Sequence, residues 1–317
     1  MAKQAVNLSM LLVKTQAAFG TTEASLTSAN LIETIGPPKM SENFEMNEVA
    51  LVAGGFSQDA SVPGPVSVDL TASVYARTGG SDAPGQYGTM LKLAGMTESE
   101  SPNGTYAYTF TSAAASITDG TAWGYSGNLD TSGCILRKAA NFIFAPKWTF
   151  DAGKPVTADF VGKGTLVAIP AAGTSPAISK ASTIPPAFMG ATTLTINGNT
   201  YYKVLSGEID ATQEVALLKD PAATYGYLNS LITNRKIKWK FKVYKDIPSV
   251  VDPETALLGK TTGALTIEVG TAPQKIKWDI TTAQITNCKD SEDGGAETWD
   301  LEGIAISNTF THTLTTI

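Results

Sequence analysis

At 317 residues the chain has room for one large or two medium domains, either with a real core. Hydrophobic residues make up 43% and charged residues only 16%, well under the usual charged share of about 25%. This excludes a disordered chain and suits one whose exterior is largely covered by other subunits. The net charge of −6 leaves no basic footprint for gripping nucleic acid.

From the N-terminus, a short apolar stretch over 5–13 is broken by Asn7 and Ser9 and followed by Lys14. It lacks the sustained apolar core and the cleavage site of a targeting segment, and nothing in the chain approaches the roughly 20 apolar residues of a membrane span. Residues 1–43 read as an N-terminal arm. Twenty-nine glycines and 16 prolines punctuate segments rich in Thr, Ser, Val and Ile, which is all-β composition. Strands are expected over 44–52, 66–76, 105–111, 121–127, 134–145 and 156–162, and again over 201–211, 236–244, 264–269, 275–280, 298–306 and 309–315. One short helix is expected in each half, over 87–94 and 253–258. Residues 169–193, with Pro170, Pro176, Pro185 and Pro186, have linker composition. The domain scheme is therefore an arm (1–43), a first β domain (44–168), a linker (169–193) and a second β domain (194–317). Residues 30–43, 54–65 and 77–86 read as exposed loops.

The two halves echo one another. Glu48-Val49-Ala50-Leu51 recurs as Glu214-Val215-Ala216-Leu217, the pattern of 68–75 returns in 237–244, and Thr89-Met90-Leu91 is echoed by Thr255-Ala256-Leu257. Three matches in order with a nearly constant offset indicate two copies of one domain, with Val74 corresponding to Val243 and Leu91 to Leu257. Two copies are too few for a solenoid or propeller. They point instead to a ring in which each chain fills two equivalent places.

The clearest period lies in 236–244, where Ile237, Trp239, Phe241 and Val243 alternate with Lys236, Lys238, Lys240 and Lys242. Strict alternation puts one set on a core face and the lysines on the other, with Glu208 and Asp210 as expected cross-strand partners.

Catalytic chemistry is sparse. His312 is the only histidine, against a histidine triad or a multi-histidine metal site. Gly259-Lys260-Thr261 has Glu254 where a phosphate-binding loop needs its first glycine, and Trp123-Gly124-Tyr125-Ser126-Gly127 lacks the spacing of a nucleophile elbow. The acidic run from Asp290 to Glu297 does not match a calcium loop and reads as a hairpin tip, because Asp293-Gly294 is a turn signal. Cys134 and Cys288 read as reduced thiols of a cytosolic setting. No catalytic, cofactor-binding or metal-binding residue is assigned, and no enzyme is expected.

Several segments resemble, in order, the tail tube proteins of long-tailed bacteriophages: Val13-Lys14-Thr15-Gln16-Ala17-Ala18-Phe19-Gly20-Thr21, Tyr87-Gly88-Thr89-Met90-Leu91-Lys92-Leu93-Ala94-Gly95-Met96, Tyr106-Ala107-Tyr108-Thr109-Phe110, and the two endings Ala158-Asp159-Phe160-Val161-Gly162 and Trp299-Asp300-Leu301-Glu302-Gly303. The resemblance implies an all-β fold with short helices: two tandem β-sandwich domains whose sheets join into a ring-shaped barrel. It implies a structural virion protein that stacks as rings into the tail tube, the conduit for the genome, in the virion tail and, during assembly, in the host cytoplasm. The implied partners are the chain itself, in trimeric pseudo-sixfold rings or alternatively hexameric ones, together with tape measure, tail terminator and distal tail or baseplate proteins. DNA would pass through the lumen without specific binding, and no membrane is involved. Such a ring also consumes the open strand edges that otherwise invite aggregation. Residues 77–86 and the arm are then expected to contact the next ring, and the lumen is expected to be net acidic with the four lysines paired or turned away. The competing reading is a monomeric two-domain β-sandwich binding module, an adhesin or carbohydrate-binding protein.

Overall fold

A computed structural model describes residues 9–18, 21–47, 62–79, 84–101, 104–110, 117–127, 134–177, 184–188, 192–201, 203–245, 252–306 and 310–316. The fold is almost entirely β, as expected. In chain order the strands are β1 (Ser9–Thr15), β2 (Leu31–Ile32), β3 (Lys39–Asn47) and β4 (Val62–Tyr75), then helix α1 (Gly85–Leu93). They continue as β5 (Met96–Ser101), β6 (Thr105–Phe110), β7 (Gly120–Gly127), β8 (Cys134–Asp151) and β9 (Thr157–Gly173). The second half contains β10 (Thr193–Ile196), β11 (Asn199–Tyr201), β12 (Val204–Lys219) and β13 (Tyr227–Tyr244), then helix α2 (Pro253–Leu258). It ends with β14 (Thr262–Val269), β15 (Lys275–Asp293), β16 (Ala296–Ala305) and β17 (Phe310–Thr315).

One order of antiparallel pairing occurs in both halves. In the first it is β3–β4–β9–β8–β7–β1; in the second it is β12–β13–β16–β15–β14–β10. Each helix follows the second strand of the opening hairpin. Leu70 of β4 stands between Met40 and Gly162, and Trp239 of β13 stands between Ile209 and Gly303. Val74 opposes Ala158 as Val243 opposes Trp299. Among the described residues the β5–β6 hairpin has no counterpart in the second half and β17 none in the first. Glu48–Leu51, one of the sequence echoes, lies outside the described residues.

The segment read as an arm contributes β1, β2 and most of β3 to the sheet, with β1 paired along its length to β7. Within the proline-rich linker, β9 runs on to Gly173 and Phe188 is buried against Phe150, ring centroids 5.6 Å apart. Helix α1 begins two residues before the expected start, at Gly85, where a φ of +66° suits glycine. Helix α2 spans the expected residues. Asp252 caps it by accepting from the Thr255 backbone N–H at 2.9 Å, and Pro253 occupies the first turn, where no donor is lost.

The halves meet through a short ladder and a buried cluster. Residues 206–210 of β12 pair antiparallel with 147–151 of β8, extending one sheet into the other. The monomer therefore carries an unbroken antiparallel sheet of eight strands, β3–β4–β9–β8–β12–β13–β16–β15. It is an open sheet, not a closed barrel. In the buried cluster β17 bridges β6 and β15, Trp148 and Trp278 pack against His312, and Phe310 stacks on Trp148.

Candidate functional site

The surface with the most regular chemistry is the solvent face of the eight-strand sheet. Alternation along every strand sends one residue set into the core and the next outward. On β13, Trp239, Phe241 and Val243 are buried while Lys236, Lys238 and Lys240 are exposed. The large rings have a local cost that the neighbouring strands meet with glycine. A Cβ at Gly303 would collide with the Trp239 indole and one at Gly207 with the Phe241 ring, so the aromatics lie over bare backbone on both sides.

The outward face alternates in charge. Across one row, Asp159, Lys147, Asp210 and Lys238 succeed one another on β9, β8, β12 and β13. The next row carries Glu208, Lys240 and Glu302 on β12, β13 and β16, and a third carries Lys242, Asp300 and Lys289 on β13, β16 and β15. Glu208 and Asp210 thus stand opposite lysines of β13, as expected. The Lys240 ammonium lies 3.1 Å from Glu302 and that of Lys147 lies 2.9 Å from Glu208. The hydrogen bond that Lys240 donates to Glu302 raises the affinity of Lys240 for its proton, and the bonds donated by Asn287 and Lys240 hold the Glu302 carboxyl below its ordinary range. Exposed pairs like these add little stability; what they supply is a sheet face with lysines and carboxylates in near-equal number.

The remaining sequence candidates have structural places. His312 is fully buried: its Nε2 accepts from the Tyr87 hydroxyl at 2.9 Å and its Nδ1 donates to the Lys277 carbonyl at 3.1 Å. The Tyr87 oxygen in turn accepts from the Trp148 indole N–H at 2.6 Å. Burial drives the pKa of His312 down to about 3, so the ring is neutral and serves as a hydrogen-bond junction between the halves. Gly259-Lys260-Thr261 is the turn after α2, with Lys260 at φ +51° and the Thr261 N–H on the Ala256 carbonyl. Residues 123–127 lie within β7. The acidic run forms the β15–β16 hairpin, turning at Gly294-Gly295, with Asp290 2.8 Å and Glu297 3.6 Å from the Lys245 ammonium. Both cysteines are unbridged. Among the described residues no cluster of three or more His, Cys, Asp or Glu side chains is placed to hold a metal ion, and no helix is long and apolar enough to cross a membrane.

One contact set was invisible from sequence. The Gln213 side-chain amide of β12 donates to the carbonyls of Ala94, at the end of α1, and Phe144, at 2.7 and 2.9 Å. Its oxygen accepts from Arg235, whose guanidinium lies 4.1 Å from the Phe110 ring centre. Burial lowers the Arg235 pKa to about 10. The β12–β13 hairpin is an arm laid over the first half: Asn141 donates to the Leu228 carbonyl at 2.9 Å, and the Val66 N–H reaches the Tyr225 carbonyl at 3.0 Å.

A family model described as phage tail tube protein matches residues 7–305. No curated protein matches the chain.

Proposed function

The chain belongs to the phage tail tube protein family, and from that premise we propose that it polymerises as stacked threefold rings around a channel for the viral genome. The observation that carries this reading is the open eight-strand sheet with a polar, charge-alternating outer face. Each chain then provides two structural units of one design, β1–β9 and β10–β17, joined through residues 174–192, with the first unit taking in the segment read as an arm.

Size favours three chains. Three supply 24 strands, which at ~4.8 Å spacing and a tilt of ~40° close at a backbone radius of roughly 24 Å. Subtracting a side-chain layer of ~5 Å on the inner face leaves a bore of roughly 38 Å. Six chains would double the radius. The alternating face lines the bore in this arrangement, and Lys238, Lys240 and Lys242 each face a carboxylate across the strand while Lys236 faces Thr212, so DNA finds no run of unopposed cations to bind. The tail's other components, the tape measure, terminator and distal tail proteins, are the partners of the two tube ends.

Negative-stain electron microscopy of the purified protein, dilute and after prolonged concentration, tests the reading. Rings with a central hole and pseudo-sixfold end-on views, lengthening into tubes, are expected. A species that sediments as a monomer at every concentration would instead favour the two-domain binding module.

A further inference from the structure

The internal junction between the halves is a template for the contact between chains. We propose that β3 of one chain pairs antiparallel with the 289–293 segment of β15 in a second copy, in the register that β12 and β8 use within the chain. This rests on the ring reading above and specifies which edges close it.

The two edges are complementary by position. Among the described residues β3 is paired on one side only, by β4. On the other edge of the sheet, β14 accompanies β15 only as far as Gln284, so the following residues of β15 have β16 on one side and an open edge on the other. In the first half the corresponding open edge of β8, beyond Phe142 where β7 ends, is the one filled by β12. The strand corresponding to β12 is β3, since Met40 faces Leu70 as Ile209 faces Trp239. Likewise Lys147 faces Asp159 as Lys289 faces Asp300, three residues before Gly162 and Gly303 respectively. Within the chain Asp210, Ile209 and Glu208 oppose Lys147, Trp148 and Thr149. Carried over, Ser41, Met40 and Lys39 oppose Lys289, Asp290 and Ser291 of the second copy. All strands around the sheet are antiparallel and even in number per chain, so the added pairing preserves direction.

A second observation supports the same partner. Four residues beyond Ile209, Gln213 meets the end of α1. Four residues beyond Met40 stands Phe44, 59% exposed, followed by Met46 at 58%; at the end of α2, Leu258 is 83% exposed. The register places Phe44 against Leu258 of the second copy, so the polar contact inside the chain becomes an apolar one between chains, burying side chains that are otherwise left in water.

Cysteine cross-linking decides the register. In a Cys288→Ser background, Lys39→Cys with Ser291→Cys sets two directly opposed residues within about 5 Å. Mild oxidation should give a covalent trimer and nothing larger. Lys39→Cys with Asn287→Cys, displaced by about 13 Å along the strand, should give none. Cross-links that continue beyond trimer support the strand pairing and overturn the threefold ring. Tubes visible in the microscope without the cross-link, or with the displaced pair linking instead, overturn the pairing and leave the tube standing. Protein that neither links nor forms rings overturns both. Leu258→Lys, at a site open to water in the single chain, should leave the melting temperature of dilute protein unchanged and abolish the trimer; an undiminished trimer removes Leu258 from the interface.

Discussion

His312 receives one hydrogen bond and gives one, and its neighbours Tyr87 and Trp148 complete a chain of donors that leaves each of these buried polar atoms satisfied. Breaking it strands partners in a buried site, which costs more than the bond is worth. His312→Ala is expected to destabilise the dilute protein by ~3 kcal/mol in urea unfolding, whereas Tyr87→Phe, which removes one hydroxyl, should cost ~1–2 kcal/mol. The sign with pH follows from the depressed pKa of about 3. The unfolded ring titrates near 6.5, so below that pH the unfolded state binds a proton the native state refuses. The group's contribution is complete above about pH 6.5 and is lost as pH falls toward 3, by up to ~1.4 kcal/mol per unit. A His312→Gln variant should lack this component, so the gap between it and the parent should narrow from pH 7.5 to 4.5. An unchanged gap would contradict the buried neutral imidazole. Gly303 makes a separate demand, because any side chain there meets the Trp239 indole. Gly303→Ala is expected to cost ~2–3 kcal/mol by overpacking, seen as a lowered melting temperature.

Elements were legible where one signal dominated. The alternation of 236–244 fixed the orientation of the end of β13, and the short helix expected over 253–258 is α2. The Asp293-Gly294 turn signal marked the tip of the β15–β16 hairpin. Others were hidden for physical reasons. Strand β1 is buried on both faces from Met10 to Val13, so it shows no alternation and reads as a bare apolar run. Strand β5, Met-Thr-Glu-Ser-Glu-Ser, is polar along its exposed length and is held by its hairpin with β6. The first half of β13 carries Asn229, Ser230, Thr233 and Asn234, which read as loop residues; Asn229 and Ser230 are buried because the arm lies on the first half, where the Ser230 hydroxyl donates to the Asn141 carbonyl. No sequence pattern announces a contact between residues so far apart. The arm's anchor is testable on its own. Gln213→Leu removes the bonds that its amide gives to the Ala94 and Phe144 carbonyls and accepts from Arg235, and is expected to cost ~2–3 kcal/mol. A loss under 1 kcal/mol by thermal melting would show that the arm is held elsewhere.

For the whole molecule, the question is what a tube wall must do to a polyanion moving along it. The net charge of −6 suggests general repulsion, but the face proposed to line the bore is locally balanced, with Lys147 against Glu208 and Lys240 against Glu302. Balance serves transport through a different route from repulsion: a lysine already neutralised by a carboxylate gains little from a phosphate and releases few counterions on meeting one. In the proposed tube the carboxylates, and not the overall charge, would keep the genome free to slide. Replacing Glu208, Asp210 and Glu302 by Gln, Asn and Gln removes the partners while leaving the lysines and the backbone pairing in place. Tubes of this variant are expected to retain duplex DNA fragments, with log affinity falling against log salt by about 0.9 for each phosphate engaged, while parent tubes retain none at ~0.15 M salt. If parent tubes already hold DNA with a steep salt dependence, the lysines of β13 are themselves a binding stripe, and the wall acts as a guide that grips the genome.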